Sequence, residues 1–309
     1  MNLAALTDYA AFTGGKMHSR AITAAVLVLV LTVCSRAFPD DFLKTLQKAA
    51  YTEAGLVYGQ GGGHDLHLDL YQPSEGEGPF PAVVFIHGGG WRAGHSGQFS
   101  RQAMYLATQG YVCACIDYRL SGEAKFPAAI EDCKCAVRWM RAVGAKEYKV
   151  DPERIAVSGE SAGGHLSLLM GTSGGAAELE GQGGWAGYSS RVQLVAAFNP
   201  ACRFSGIHSD AIAAFLGGDS LEVPEAYRLA TPSTWIDRTD PPMLLLHGDQ
   251  DKTVPYSQSV DFVAALKASG VEAELYTETG AGHTWMSFPP YFEPTTLALK
   301  SFLDRHFTK

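Results

Sequence analysis

Short, continuously apolar runs alternate along this chain with longer stretches of helical period. Residues 82–86 (Ala-Val-Val-Phe-Ile) carry no polar position and predict a strand buried on both faces; 111–116, 154–158, 192–198 and 242–246 read the same way, and 272–276 closes the series. Between them, 98–108, 127–142, 257–268 and 295–306 have helical spacing. In 127–142, Ile130, Cys133, Val137 and Met140 form one stripe while Glu131, Lys134, Arg138 and Arg141 fall largely away from it, predicting a surface helix packed on a sheet. Residues 66–71 alternate with period two and predict a half-exposed edge strand. The glycines of 59–63 precede a strand rather than a helix, which predicts a turn and not a phosphate cradle. His64 and His67 are expected on opposite faces, giving no metal site.

Alternating strands and helices predict an α/β fold, a mostly parallel central sheet with helices on both faces. Two stretches interrupt the alternation: the Gly-rich 171–190, and 199–235, which is too long for an ordinary connection. The latter holds helix-like pieces at 207–215 and 225–229 and is read as a small cap-like insertion or pocket wall. Loops at the carboxyl ends of parallel strands are where such sheets bind ligands.

The first 37 residues separate from this pattern. An uncharged apolar run, 21–33, follows Lys16, His18 and Arg20 and precedes Ser35-Arg36-Ala37, the layout of a signal peptide. That run is shorter than the roughly 20 residues a membrane-spanning helix needs. The expected organisation is a leader over 1–37 and one catalytic domain over 38–309, secreted or periplasmic; Met17 is an alternative start, and a lipid anchor at Cys34 is disfavoured because Val33 stands where a small residue belongs. Loss of 1–37 removes Lys16, Arg20, Arg36 and Asp8 and takes the net charge from −8 to −10. Such an acidic surface argues against nucleic acid and anionic membranes as partners and leaves no stable membrane anchor expected. Five cysteines remain, Cys113, Cys115, Cys133, Cys135 and Cys202, read as small buried thiols although one strand-to-helix bridge is geometrically conceivable.

Chemistry concentrates at 159–164, Gly-Glu-Ser-Ala-Gly-Gly, between a predicted strand and a predicted helix. A Gly-x-Ser-x-Gly there is a nucleophile elbow, whose tight turn exposes the Ser161 hydroxyl. His87-Gly88-Gly89-Gly90-Trp91 ends a central strand and offers backbone N–H groups to a developing oxyanion; Gly89, Gly90 and Ala162 are the expected donors. After the 242–246 strand comes His247-Gly248-Asp249-Gln250-Asp251, with Asp251 favoured as the acid that orients an imidazole and Asp249 as a turn-former bonding its own loop backbone. His247 is expected to be strand-end structure. His283, in Gly-Ala-Gly-His after the last strand, completes the order Ser, Asp, His, whereas His306 is expected in solvent. Asp117-Tyr118-Arg119 is expected to brace the glycine loop, and Trp91, Glu160 and Trp285 flank the site as candidate pocket residues.

From about Leu68 to Trp285 the chain resembles the α/β-hydrolase esterases with an HGGGW loop, through HGGGW, IDYRLS, FPAAIEDCKCAVRW, GESAGGHLS, HGDQDKTVPYSQS and GAGH. It most resembles the branch containing bacterial acetylxylan and feruloyl esterases, and more distantly the hormone-sensitive-lipase-like esterases. The resemblance implies a secreted serine ester hydrolase acting through Ser161, Asp251 and His283 with no cofactor or metal, removing acetyl or feruloyl groups from plant polysaccharides, with a small acyl group on a bulky carrier favoured. The short 38–56 stretch implies a reduced amino-terminal cap. An arylformamidase or prolyl-oligopeptidase-type amide hydrolase, and a silent binding protein on the same scaffold, are the alternatives.

Overall fold

A computed structural model describes residues 51–307 apart from 205, 206 and 208. The expected leader over 1–37 lies outside the described residues.

Eight strands form one sheet: β1 (Tyr51–Gly61), β2 (His64–Tyr71), β3 (Phe80–Ile86), β4 (Val112–Ile116), β5 (Val150–Glu160), β6 (Leu194–Phe198), β7 (Met243–Gly248) and β8 (Ala273–Glu278). Their order is β1-β2-β4-β3-β5-β6-β7-β8, with β1 and β2 antiparallel to their neighbours and every pair from β4 to β8 parallel. The apolar runs are the buried strands: every residue of β4, β6 and β7 is buried.

Helices α1 (Ser100–Thr108), α2 (Ala128–Trp139), α3 (Ala162–Thr172), α4 (Asp210–Leu216), α5 (Pro224–Ala230), α6 (Ser257–Ala268) and α7 (Phe292–Phe307) connect or flank the strands. The chain steps from β3 to β4 in one direction along the sheet and from β4 over β3 to β5 in the other. Right-handed crossovers therefore put α1 on one face and α2, α3 and α6 on the other. α7 joins α1, with the Arg101 guanidinium 4.0 Å above the Phe292 ring. That reversal opens a crevice between the carboxyl ends of β3 and β5, where open α/β sheets take ligands.

Four expectations need correction. Residues 66–71 are not an edge strand, because β1 covers them. β1 is hard to see in sequence: its pairing shifts register at Tyr51/Glu53, Glu53/Leu56 and Val57/Gly59, which breaks the period-two pattern. Gly59 to Gly61 belong to this strand and only Gly62 and Gly63 turn. Gly59 is there because the Cys135 thiol and the Gly183 carbonyl come close enough to exclude a Cβ. The polar side of α2 is not solvated either. Lys134, Arg138 and Arg141 are 0%, 3% and 8% exposed under the 171–190 segment. Lys134 Nζ donates to Ser173 O and Glu180 Oε1, both at 2.8 Å, Arg138 Nη1 to Glu180 Oε2 at 2.8 Å, and Arg141 Nη1 to Ser189 O at 2.7 Å. Finally, His306 is half-buried, packed edge-on against Phe302 with ring centroids 4.8 Å apart. All five cysteines are buried and free, and burial pushes each thiol pKa up.

Candidate active site

The turn from β5 into α3 holds Ser161 at φ 54°, ψ −112°, a backbone that side-chain-bearing residues rarely adopt and that costs about 1–3 kcal/mol. Tight packing against β3 enforces it. A Cβ on Gly163 would meet the carbonyl oxygens of Ile86 and His87, and one on Gly159 would meet those of Gly163 and Ile86. Ser161 N donates to Phe198 O at 2.8 Å, tying the turn to β6.

Ser161 Oγ lies 2.9 Å from His283 Nε2, and His283 Nδ1 lies 2.6 Å from Asp251 Oδ2. Three residues from three separate strand ends thus form one hydrogen-bonded row. Asp251 sits in a nest of donors: Thr253 N and Val254 N reach Oδ1 at 2.8 and 2.9 Å, and His247 Nε2 reaches Oδ2 at 3.2 Å. Burial works to raise the Asp251 pKa, but the bonds from His247, His283 and Val254 outweigh it and hold the carboxylate well below its usual range.

His247, expected to be strand-end structure, is therefore also a direct partner of Asp251. Its Nε2 also faces Val254 O at 3.0 Å, an atom that only accepts, so Nε2 carries the proton and Nδ1 accepts from Ser259 Oγ at 2.7 Å. Asp249 does something different from the expected turn. Its Oδ1 accepts from Gly280 N at 2.8 Å, and Gln250 N donates to Ala281 O at 2.9 Å. These bonds stitch the Asp251 loop to the His283 loop.

The glycine loop after β3 is braced from several sides. Gly88 N donates to Gln98 Oε1 at 2.7 Å, and Gln98 Nε2 donates to Glu160 Oε2 at 3.0 Å. Gly89 and Gly90, next in the chain, have φ 104° and 62°, and Ala162 opens α3, where the first N–H groups have no partner within the helix. Tyr118 donates to His87 O at 3.1 Å, Ser121 N to Trp91 O at 2.7 Å, and Asp117 Oδ1 accepts from Ser96 N at 2.6 Å, whereas Arg119 turns away to Asp132. Glu160 is 1% exposed; its Oε1 lies 3.8 Å from His283 Nε2, and burial raises its pKa. It is a second carboxylate on the serine side of the imidazole, in a bracing position rather than on an open pocket wall. No sequence signal pairs Gln98 with Glu160; the bond exists only because β3 and β5 are neighbours.

Trp91 and Trp285 are each 5% exposed and spend their indole N–H groups internally. Trp285 Nε1 donates to Asn199 Oδ1 at 2.7 Å. Trp91 stacks on Phe215 of α4 at 4.8 Å and donates to His165 Nδ1 at 3.2 Å; His165 Nε2 lies 2.7 Å from Ala230 O. His165 thus clamps the glycine loop to the 199–235 insertion, and only the neutral ring suits it, since Nδ1 must accept. Complete burial lowers its pKa from 6.5 to about 4. Above pH 6.5 both folded and unfolded forms are neutral. Below it only the unfolded chain takes the proton, so stability falls with pH until the folded value is reached. The gap is worth about 3 kcal/mol. Chemical denaturation from pH 7 to pH 4 should show His165→Asn losing about that much less stability than the unsubstituted protein; parallel losses would refute the assignment.

A profile of the BD-FAE family matches residues 68–266, nearly two thirds of the chain. Esterase LipC of Mycobacterium tuberculosis is 33% identical over 217 residues, 66% of this chain and 53% of LipC. The chain spans between 51% and 62% of the length of the curated relatives it matches. Among solved structures, the propionate-bound esterase Est2 of Thermogutta terrifontis superposes with a TM-score of 0.72 at 30% identity, covering 84% of this chain and 95% of Est2. A truncated carbohydrate esterase from gut microbiota gives 0.72 at 27% identity, covering 85% and 99%. The sheet and its crossovers are those of an α/β-hydrolase, and the chain belongs to the BD-FAE family.

Proposed function

We propose that the protein is a serine carboxylic-ester hydrolase that removes small acyl groups from a carbohydrate carrier. The observation that carries this reading is the row Ser161 Oγ, His283 Nε2, His283 Nδ1 and Asp251 Oδ2, with bonds of 2.9 and 2.6 Å. In this mechanism His283 takes the Ser161 proton as the hydroxyl attacks the ester carbonyl, and Asp251 stabilises the imidazolium. Gly89, Gly90 and Ala162 N–H groups receive the oxyanion. His283 returns the proton to the departing alcohol, then activates the water that hydrolyses the acyl-enzyme.

The small acyl group is supported by the likeness to Est2, whose structures hold propionate and butyrate. The carrier is supported by the likeness to a carbohydrate esterase. Each methylene that a pocket buries is worth about 0.8 kcal/mol, and one it cannot bury gains nothing or clashes. Nitrophenyl esters of increasing length, assayed beside acetylated xylan, test the proposal. kcat/KM should be highest for acetyl to butyryl and collapse for chains of about ten carbons, with acetate released from the xylan. A kcat/KM that climbs steadily with chain length would replace this reading with a lipase-like one.

A further inference from the structure

A cavity of about 290 Å³ lies on the far side of the HGGGW loop from Ser161. Its walls are the start of β2, the 117–123 loop after β4, and the outer ends of the 87–95 loop itself. Its size is close to the lower end of small-molecule sites, about 300 Å³. Asp117 directly follows β4 and Ser161 directly follows β5, with β3 between, so the cavity and the nucleophile are about 10 Å apart across two strand spacings.

The glycine loop presents an acceptor to this cavity. His87 Nδ1 lies 2.8 Å from Gly88 O, which only accepts, so Nδ1 holds the proton and Nε2 presents a lone pair. That Nε2 faces Asp117 Oδ1 across 3.9 Å, an oxygen that already accepts from Ser96 N at 2.6 Å. Burial of His87, 2% exposed, lowers its pKa and favours the neutral ring. Nε2 meets no donor among the described residues and is open to the cavity, so a donor that enters there can bond it.

The wall chemistry narrows what that donor is. Asp65, Asp117 and Glu123 disfavour an anion. Arg119 borders the cavity but is spent on Asp132 and Glu131, and the one metal-like cluster among the described residues, Glu272, Glu274 and His306, is not at this cavity, so the geometry does not favour a metal ion. A neutral, hydroxyl-rich ligand suits these acceptors, since each hydroxyl can donate. His95 adds the complementary role: its Nδ1 accepts from Gly97 N at 3.1 Å, so the neutral ring carries its proton on Nε2. Leu66, Leu120 and the Tyr118 ring supply apolar surface for the C–H side of such a ligand. His64 and His67 both border the cavity.

We propose that this cavity is a subsite for a neutral sugar unit of the carrier, held by hydroxyl bonds to His87 Nε2 and Asp117 against the outer face of the glycine loop. The proposal rests on the ester-hydrolase reading for its purpose but not for its test. Unesterified xylotriose, titrated into Ser161→Ala protein labelled with ¹⁵N-histidine, should give saturable shifts at His87 and His67, each assigned by single substitution. His67→Trp, which fills the cavity from a strand position whose side chain makes no hydrogen bond, should abolish the shifts. In the Ser161 background it should keep kcat/KM for nitrophenyl acetate within about twofold and lose about tenfold on acetylated xylo-oligosaccharides, the value of one hydrogen bond. The double substitution His64→Ala, His67→Ala repeats the comparison without added bulk. Absence of saturable shifts, equal losses on both ester types, or zinc binding in place of xylotriose would overturn the subsite. Absence of hydrolysis of every ester by the unsubstituted enzyme would instead defeat the ester-hydrolase reading and leave the binding result standing.

Discussion

Ser161→Ala should lower kcat on nitrophenyl acetate by roughly 10⁴-fold or more and leave the fold in place, as nucleophile deletions in Ser-His-Asp triads do. The Ser161 hydroxyl has one hydrogen-bond partner, His283, at 2.9 Å, and the residue is only partly buried. Its removal empties no core space. The strained turn at φ 54° stays, because the carbonyls of Ile86 and His87 over Gly163 and the bond from residue 161 N to Phe198 O are set by backbone atoms. Stability should therefore move by less than about 0.5 kcal/mol, the range of substitutions outside the core. A phosphonylating reagent gives an independent readout: the unsubstituted protein should gain one covalent adduct on Ser161, and the variant none. Full turnover by the purified variant, or an adduct on another serine, would remove Ser161 from the mechanism. Glu160 cannot stand in as nucleophile, since its Oε2 is bonded to Gln98 and the residue is 1% exposed.

What the sequence made legible, and what it did not, divides along a physical line. The interior strands β3, β4, β6 and β7 were readable because burial on both faces requires unbroken apolar runs, and their order with the helices follows from the alternation. The loops bearing Ser161, Asp251 and His283 were readable because each follows a strand, and strand ends of a parallel sheet meet. Interactions set by tertiary neighbours were not. β1 hides behind three register shifts. The cationic side of α2 looks like a solvated face until Glu180 and the carbonyls of Ser173 and Ser189 fold over it. Lys134 and Arg138 read identically in both situations, because periodicity reports which side of a helix is apolar and not what covers the other side. His247 illustrates the same limit within the site. Its place at a strand end suggested packing alone, while its bond to Asp251 depends on a turn that brings residues 251–254 back over the strand.

Asp251→Asn should cost about 10⁴-fold in kcat, whereas Asp249→Asn should cost less than about tenfold. The donors around Asp251 allow no harmless placement of an amide. With the amide nitrogen at the Oδ2 position, it meets His247 Nε2–H and His283 Nδ1, the atoms now at 3.2 and 2.6 Å. His247 has its proton fixed there by Val254 O, so that contact becomes donor against donor. His283 would have to accept at Nδ1 and carry its proton on Nε2, which then points at Ser161 as a donor and cannot serve as the base. With the amide reversed, its nitrogen confronts Thr253 N–H and Val254 N–H instead, now bonded at 2.8 and 2.9 Å. Either way the charge opposite Nδ1 is lost, and Glu160, 3.8 Å from the other ring nitrogen, lies on the wrong side to replace it. Asp249→Asn, by contrast, keeps an oxygen for Gly280 N and so keeps the loops stitched. Steady-state kinetics of both purified variants, with unfolding curves to confirm that each is folded, decide the assignment. Should Asp249→Asn be the crippled enzyme and Asp251→Asn the active one, the acid of the triad is Asp249 and the nest around Asp251 is structural.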